Sequence, residues 1–396
     1  MRRLRAALVL LGLAAAAPAW GAPAVSFSAE EIERILQHGP WPPEARRDPS
    51  NRASGHPHAI ELGRRLFMDR RLGAEGRIAC ASCHQPERGW ADGLARGVGL
   101  AEGDRNTPGV ANAHLNRWFG WDGGQDSLWA QSIRPILDPR EMGGSARQVA
   151  TLLGSNRDLG CLYRKAFGAP PTGPAHTPLV NAGKALAAFQ ETLTSARSPF
   201  DEFRDALARG EGAALSAYPV QAQRGLRIFV GKGNCAVCHF GPAFSNGEFA
   251  DVGIPYFIAP GKVDAGRYEG IRRLKASAYN LLGPHSDDPK RSTAAGTQHV
   301  RLDQRNWGEF RVPGLRDVAR TAPYMHSGRL ASLAEVVRHY SELNEDRLHA
   351  DGERILRPLR LSAEESADLV AFLESLSGRT PVQPPPPARV PADCRP

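Results

Sequence analysis

The pentapeptide Cys-x-x-Cys-His occurs twice, as Cys80-Ala81-Ser82-Cys83-His84 and as Cys235-Ala236-Val237-Cys238-His239. Two thiols at this spacing add to the vinyl groups of a haem, and the adjacent histidine becomes an axial ligand of its iron. A single copy can arise by chance or serve zinc or thiol chemistry. Two copies, each preceded by the same local pattern, point to two covalently attached c-type haems. That pattern is Gly63-x-x-x-Phe67 before the first motif and Gly225-x-x-x-Phe229 before the second. The copies lie 155 residues apart, from Cys80 to Cys235, so the chain reads as mainly α, with two cytochrome c-like haem domains joined by long ordered loops. The 41 glycines and 32 prolines favour such loops.

The start of the chain agrees with this chemistry. Met1-Arg2-Arg3-Leu4-Arg5 is cationic, Ala6 to Ala17 is apolar, and small residues offer cleavage after Ala22 or Ala24. This order is that of a secretory signal over residues 1–24, with a retained anchor as the alternative. No later stretch approaches the roughly 20 apolar residues of a membrane span, so a periplasmic protein without a span is expected. The net charge of +8 is spread along the chain without a Lys/Arg block, which argues against nucleic acid as a partner. Four of the six cysteines belong to the haem motifs. Cys161 and Cys394 remain, either as a disulfide suited to an oxidising compartment or as two separate thiols.

Ser28-Ala-Glu-Glu31 and Ser362-Ala-Glu-Glu365 are capping boxes opening amphipathic helices. Apolar spacing places further helices at Ser127–Leu137, Val180–Leu193, Ser216–Phe229 and Leu333–Leu343. Short extended pieces are expected near Val252–Ile258 and Glu309–Val312. The resulting division is an N-terminal haem domain over 25–210, a C-terminal haem domain over 211–380 and a proline-rich tail over 381–396.

Further landmarks are Arg105-Asn-Thr-Pro108, Trp121-Asp-Gly123, Gln131 with Glu141-Met142-Gly143, and Thr321-Ala-Pro-Tyr-Met-His326-Ser-Gly328. With these, residues 59–343 resemble the bacterial dihaem cytochrome c peroxidase and MauG superfamily, and within it the MbnH branch. The resemblance implies a peroxide-reactive haem on His84. In the peroxidase branch a distal histidine lies in the loop after this haem. Here no histidine occurs between His84 and His114, so the first iron is expected to be open, with His114 folding back as the alternative. Glu141 matches the family's acid/base, Gln131 the pocket amide and Pro135 the residue closing over the site. The alternative for Glu141 is a solvated loop carboxylate.

The same resemblance sets the second haem apart. The peroxidases place a methionine ligand fourteen residues after the histidine of Pro-Tyr-x-His-Ser-Gly. That count from His326 reaches Tyr340, the tyrosine of the MauG and MbnH branches. A phenolate is a hard anion that favours oxidised iron, where a thioether favours ferrous iron. The alternative is a core tyrosine, with Met325 or His339 as ligand. His326 is expected to hydrogen-bond a propionate. Trp121 matches the relay between the haems, and Trp118 and Trp129 are either core or extensions of it. Asn106, Thr321 and Pro323 match an inter-haem site for one Ca2+, which takes carbonyl and amide oxygens; turn chemistry is the alternative.

The function so implied is a MauG/MbnH-like oxidase. Hydrogen peroxide would generate a high-valent state shared over both haems, which oxidises a Trp or Tyr of a partner, here an MbnP-like periplasmic protein. A dihaem peroxidase drawing electrons from a small cytochrome or cupredoxin, a non-enzymatic dihaem electron carrier, and self-oxidation of the chain's own tryptophans are the competing readings.

Overall fold

The computed structural model describes residues 25–254, 257–345, 351–352, 354–388 and 394. The signal expected over 1–24 lies outside them. Helices dominate, and strands among the described residues are confined to two short antiparallel ribbons. Phe249–Ala250 pairs with Phe310–Arg311, and Phe257–Ala259 with Lys262–Val263. No helix among the described residues is long and apolar enough to cross a membrane.

Two helix pairs organise the molecule, and each is set by a glycine. In the first, Pro57–Met68 crosses His176–Gln190. A Cβ on Gly63 would lie 1.9 Å from the Ala185 carbonyl oxygen. One turn on, Phe67 meets Phe189 with ring centroids 5.3 Å apart. In the second, Val220–Val230 crosses Ala363–Glu374. A Cβ on Gly225 would again lie 1.9 Å from a carbonyl oxygen, that of Asp368. Phe229 then meets Phe372 at 4.9 Å. The Gly-x-x-x-Phe pattern thus has a physical meaning: backbones touch at the glycine and rings interlock at the phenylalanine. The second Cys-x-x-Cys-His follows its helix after a short turn, and the first follows after two 3-10 turns, Arg70–Leu72 and Ala74–Gly76.

The capping boxes at Ser28 and Ser362 form as expected and open Ala29–Leu36 and Ala363–Glu374. Ser127 and Ser332 cap Leu128–Leu137 and Leu333–Glu342. The expected helix Ser216–Phe229 is instead two, Gly212–Ala217 and Val220–Val230. Tyr218 between them is extended, with φ −79° and ψ 130°, because the following Pro219 disfavours a helical residue before it. The helix expected over Val180–Leu193 spans His176–Gln190. Among the helices not foreseen are Arg267–Ala276, Ala146–Ser155, Arg157–Phe167 and Pro199–Arg209. The last has its own capping box, Ser198 with Asp201.

Two hydrophobic cores form around the pairs, and their membership departs from the sequential division at 210/211 and 380/381. Ile35, Phe200 and Phe203 belong to the second core with Phe229 and Phe372. Leu281, Ala294 and Val382 belong to the first, with Leu66, Trp129 and Phe189. The N-terminal helix and Pro199–Arg209 therefore serve the second haem region, while the start of the tail returns to the first. Apolar faces pack on the surface that covers them best, regardless of their order in the chain.

Cys161, on Arg157–Phe167, is bonded to Cys394, with Cα atoms 5.5 Å apart. The bridge closes a loop of 233 residues. Cys161→Ser/Cys394→Ser should cost about 2–4 kcal/mol, read as a lower midpoint in denaturant. Gly225→Ala drives a methyl group into the Asp368 carbonyl and should cost about 1–3 kcal/mol or more. Its readout is thermal unfolding and a reduced yield of haem-loaded protein, with Gly212→Ala, which meets open space, as the near-neutral control.

Candidate haem and peroxide site

The first site is a cavity of about 890 Å³ bounded at one end by Cys80, Cys83 and His84. That volume is at the upper end of the roughly 300–1,000 Å³ typical of cofactor sites. Cys80 and Cys83 are free thiols, and burial pushes them up to about 12 and about 11 respectively. His84 donates Nδ1–H to the Trp90 carbonyl at 3.0 Å. A carbonyl can only accept, so this bond selects the tautomer that leaves the Nε2 lone pair for a metal. Burial also lowers the His84 pKa, which keeps the ring neutral. The donor set and the space fit a c-type haem.

The wall above the thiols carries the three residues expected there. Gln131, Pro135 and Glu141 all line the cavity. Gln131 and Pro135 come from one helix, Leu128–Leu137, and Glu141 from the turn that follows it. Gln131 Oε1 is buried and has no hydrogen-bond partner, so it is an acceptor waiting for a group in the cavity. Glu141 is half-exposed and pairs with Arg134 at 2.8 Å. Its charge is felt at both Cys83 and His84. His84 is the one histidine lining this cavity, and His114 is not part of the wall. Sequence reasoning missed Arg134, whose signal was its place one turn before Asp138, to which it also pairs.

The floor is held by an ionic knot. Arg105 pairs with Asp122, and it grips Asp264 through two nitrogens, each at 2.6 Å. Arg273 pairs with Asp122 from the other side. These acids are almost fully buried, and Arg105 with its hydrogen bonds holds Asp264 well below the usual carboxylate range against the penalty of burial. Arg105 and Asp122 sit inside the Arg-Asn-Thr-Pro and Trp-Asp-Gly motifs, whose sequence reading had assigned roles only to Asn106 and Trp121.

Trp121 stands beside this knot on the cavity wall. Its indole N–H donates to the Asn106 carbonyl at 2.9 Å, and the Asn106 N–H donates to the His326 carbonyl at 2.8 Å. Trp121 packs on Phe310, whose ring stacks on His326 with centroids 3.5 Å apart. An aromatic column therefore leads from the first cavity towards the second half of the chain. Burial holds the His326 pKa down at about 3, so its ring is neutral. Trp129 is core, donating to Ser50 Oγ. Trp118 lies under Arg267, whose guanidinium is 4.3 Å from its ring.

Of the residues expected around calcium, Asn106 is buried and joined to the 321–328 loop through the His326 carbonyl. Thr321 packs against Gly89 and Gly109. Among the described residues no cluster of three His, Cys, Asp or Glu side chains could hold an ion, so any cation there would depend on carbonyl and amide oxygens.

The second site repeats the proximal design. His239 donates Nδ1–H to the Phe244 carbonyl at 3.0 Å, and burial lowers its pKa. Cys235 and Cys238 are not joined in a disulfide. Tyr340, on Leu333–Glu342, faces this motif. Burial pushes its hydroxyl well above the usual tyrosine range, and the Cys235 and Cys238 sulfurs nearby add to the effect. His339 points elsewhere, with Nε2 donating to the Val252 carbonyl at 2.8 Å.

Known proteins share this arrangement. The model of the di-haem cytochrome c peroxidase family (CCP_MauG) matches residues 57–208. The methylamine utilization protein MauG of Methylorubrum extorquens (strain AM1) is 37% identical over 323 residues, 81% of this chain and 78% of that protein. The cytochrome-c peroxidase IdrP2 of Pseudomonas sp. (strain SCT) is 32% identical over 350 residues, 87% of this chain and 86% of that protein. A crystal structure of a MauG-like protein associated with microbial copper homeostasis superposes with a TM-score of 0.67 at 25% identity, covering 88% of this chain and 99% of that one. The chain therefore belongs to the MauG and di-haem cytochrome c peroxidase family, and it is a peroxidase-type oxidoreductase built for two c-type haems.

Proposed function

We propose that this protein is a periplasmic MauG/MbnH-like oxidase that uses hydrogen peroxide to oxidise a Trp or Tyr side chain of a partner protein. The observation that carries the reading is Tyr340 beside the second attachment motif, where a peroxidase fed by an electron donor would hold a neutral sulfur. When bound, the haems supply the redox chemistry: peroxide reduction at His84 and storage of oxidising charge at His239. A phenolate oxygen from Tyr340 is a donor suited to that storage.

The chain's own residues manage protons, access and electron flow. Glu141, in reach of both water and the cavity, takes a proton from bound peroxide and returns it to the leaving oxygen. Arg134 holds the Glu141 carboxylate in place at 2.8 Å. The Gln131 acceptor receives a hydrogen bond from peroxide and orients it. Pro135 would present a wall without an N–H donor and keep competing side chains out of the cavity. The balance is H2O2 + 2 H+ + 2 e− → 2 H2O, with both electrons drawn from the partner's aromatic side chain. Trp121 passes them onward, its ring held by the Asn106 carbonyl. Asn106, Thr321 and Pro323 supply oxygens for one Ca2+ beside that relay.

An MbnP-like periplasmic copper protein is the partner this reading favours, on the strength of the likeness to a MauG-like protein of copper homeostasis. A second reading has its own support in relatives named cytochrome-c peroxidases. It calls for a small cytochrome or cupredoxin as electron donor.

Stoichiometric peroxide added to the diferric protein with an MbnP-like protein should yield an oxidised Trp or Tyr on that partner by mass spectrometry. Fast turnover with a reduced cytochrome and no partner modification would establish the second reading instead. Glu141→Gln should slow the reaction with peroxide by roughly 10²–10⁴-fold while leaving covalent haem content intact. Tyr340→Phe should change the electron paramagnetic resonance and near-infrared bands of the His239 haem and leave those of the His84 haem in place. Unchanged bands would remove Tyr340 from the ligand set.

A further inference from the structure

The two proximal histidines are held alike but anchored differently. Each gives its Nδ1–H to the carbonyl of an aromatic residue in the left-handed region, Trp90 at φ 63° and Phe244 at φ 55°. Neither side chain adopts that conformation cheaply, so each depends on its surroundings. Phe244 is held in the second core against Phe200, Phe229 and Phe372, with His38 and the Arg316 guanidinium on its ring. Trp90 packs on Phe67 and Phe189 in the first core. Its indole N–H donates to the carbonyl of Val382, which the C-terminal segment brings into that core, at 3.0 Å.

Val382 belongs to a strap that begins in the second core and ends on the first. Leu376 is part of the second core. The Gly378 N–H donates to Asp317 at 3.1 Å, and Arg320 donates to the Gly378 carbonyl at 2.7 Å. The chain then crosses to the first core, where Val382 is buried. The Ala388 N–H donates to Glu61 Oε2 at 3.1 Å, and the Cys161–Cys394 bridge fastens the end.

We propose that this strap is a positioning element for the His84 haem, acting through Trp90. Strap and disulfide fix the Val382 carbonyl, which fixes the Trp90 indole, and the Trp90 carbonyl then fixes the His84 Nδ1–H bond. A firm acceptor on Nδ1–H increases the basicity of the ligating nitrogen. The strap thereby makes the electron donation of His84 depend on the second core and on the disulfide. Among the described residues no side-chain hydrogen bond joins Phe244 to the C-terminal strap in this way. The proposal rests only on haem attachment at Cys80, Cys83 and His84, and is independent of the partner's identity.

The test compares wild type, Trp90→Phe, Cys161→Ser/Cys394→Ser and the combined variant as full-length dihaem proteins. Resonance Raman reads the iron–histidine stretch, and spectroelectrochemistry reads the potential of each haem. Both Trp90→Phe and the released disulfide should lower the stretching frequency and raise the potential of the His84 haem alone. In the combined variant, releasing the disulfide should add nothing, because the indole link is already gone. A His84 signature unchanged by Trp90→Phe, or a disulfide effect that persists in full without the indole N–H, overturns the proposal. Should Trp90→Phe fail to accumulate with haem, the disulfide variant decides alone: a shift confined to the His84 haem supports the link, and no shift, or equal shifts at both haems, overturns it.

Discussion

The structure depends first on two places where helix backbones touch. Gly63 lies against the Ala185 carbonyl and Gly225 against that of Asp368, each too close for any side chain. Close approach brings Phe67 onto Phe189 and Phe229 onto Phe372, and these rings seal the base of each core. The helix that carries the glycine ends at Val230, a short turn before Cys235, and at Met68, from which two 3-10 turns lead to Cys80. Its position therefore sets where the two thiols and the histidine of each motif stand. A bulkier residue at either crossing would shift the attachment site itself, since packed interiors transmit displacement.

On this common base the two sites diverge through what later segments bring to them. The first receives Leu128–Leu137, and with it Gln131, Arg134 and Pro135 over a large cavity. The second receives Leu333–Glu342, and with it Tyr340. Beside the first cavity lies the Arg105, Asp122, Asp264 and Arg273 knot, whose two carboxylates are buried while Arg273 stays half-exposed. Buried ion pairs of this kind add little net stability but are costly to break one partner at a time. Their effect here is geometric: they lock the Trp121 loop to the Asp264–Arg273 segment, so that Trp121, Phe310 and His326 stay stacked in one column.

Much of this was legible from residues alone. Two copies of Cys-x-x-Cys-His, each behind Gly-x-x-x-Phe, name their cofactor because the thiols and the adjacent histidine together make a haem attachment. Capping boxes at Ser28 and Ser362 marked helix starts because they satisfy local backbone donors, a short-range matter. Gln131, Pro135 and Glu141 were expected together only through the family resemblance, since nothing in their spacing alone marks a pocket. Arg134 was overlooked because an arginine on a helix surface has no distinguishing pattern until its carboxylate is seen. The helix expected from Ser216 broke at Tyr218 because apolar periodicity was weighed above the proline that follows.

The sequence by itself determined the two haem attachment motifs and the helical character, because each is written in local spacing, while Glu141 and Tyr340 stood out only through the family resemblance. Only the tertiary structure decided which segments serve which haem. It sent the helix Ala29–Leu36 to the second core and Val382 to the first, joined Cys161 to Cys394, and gave the carbonyls of Trp90 and Phe244 to the proximal histidines. These are choices among surfaces far apart in the chain. They turn on which apolar face best excludes water and which carbonyl a folded loop presents, quantities that exist only after the helices have met.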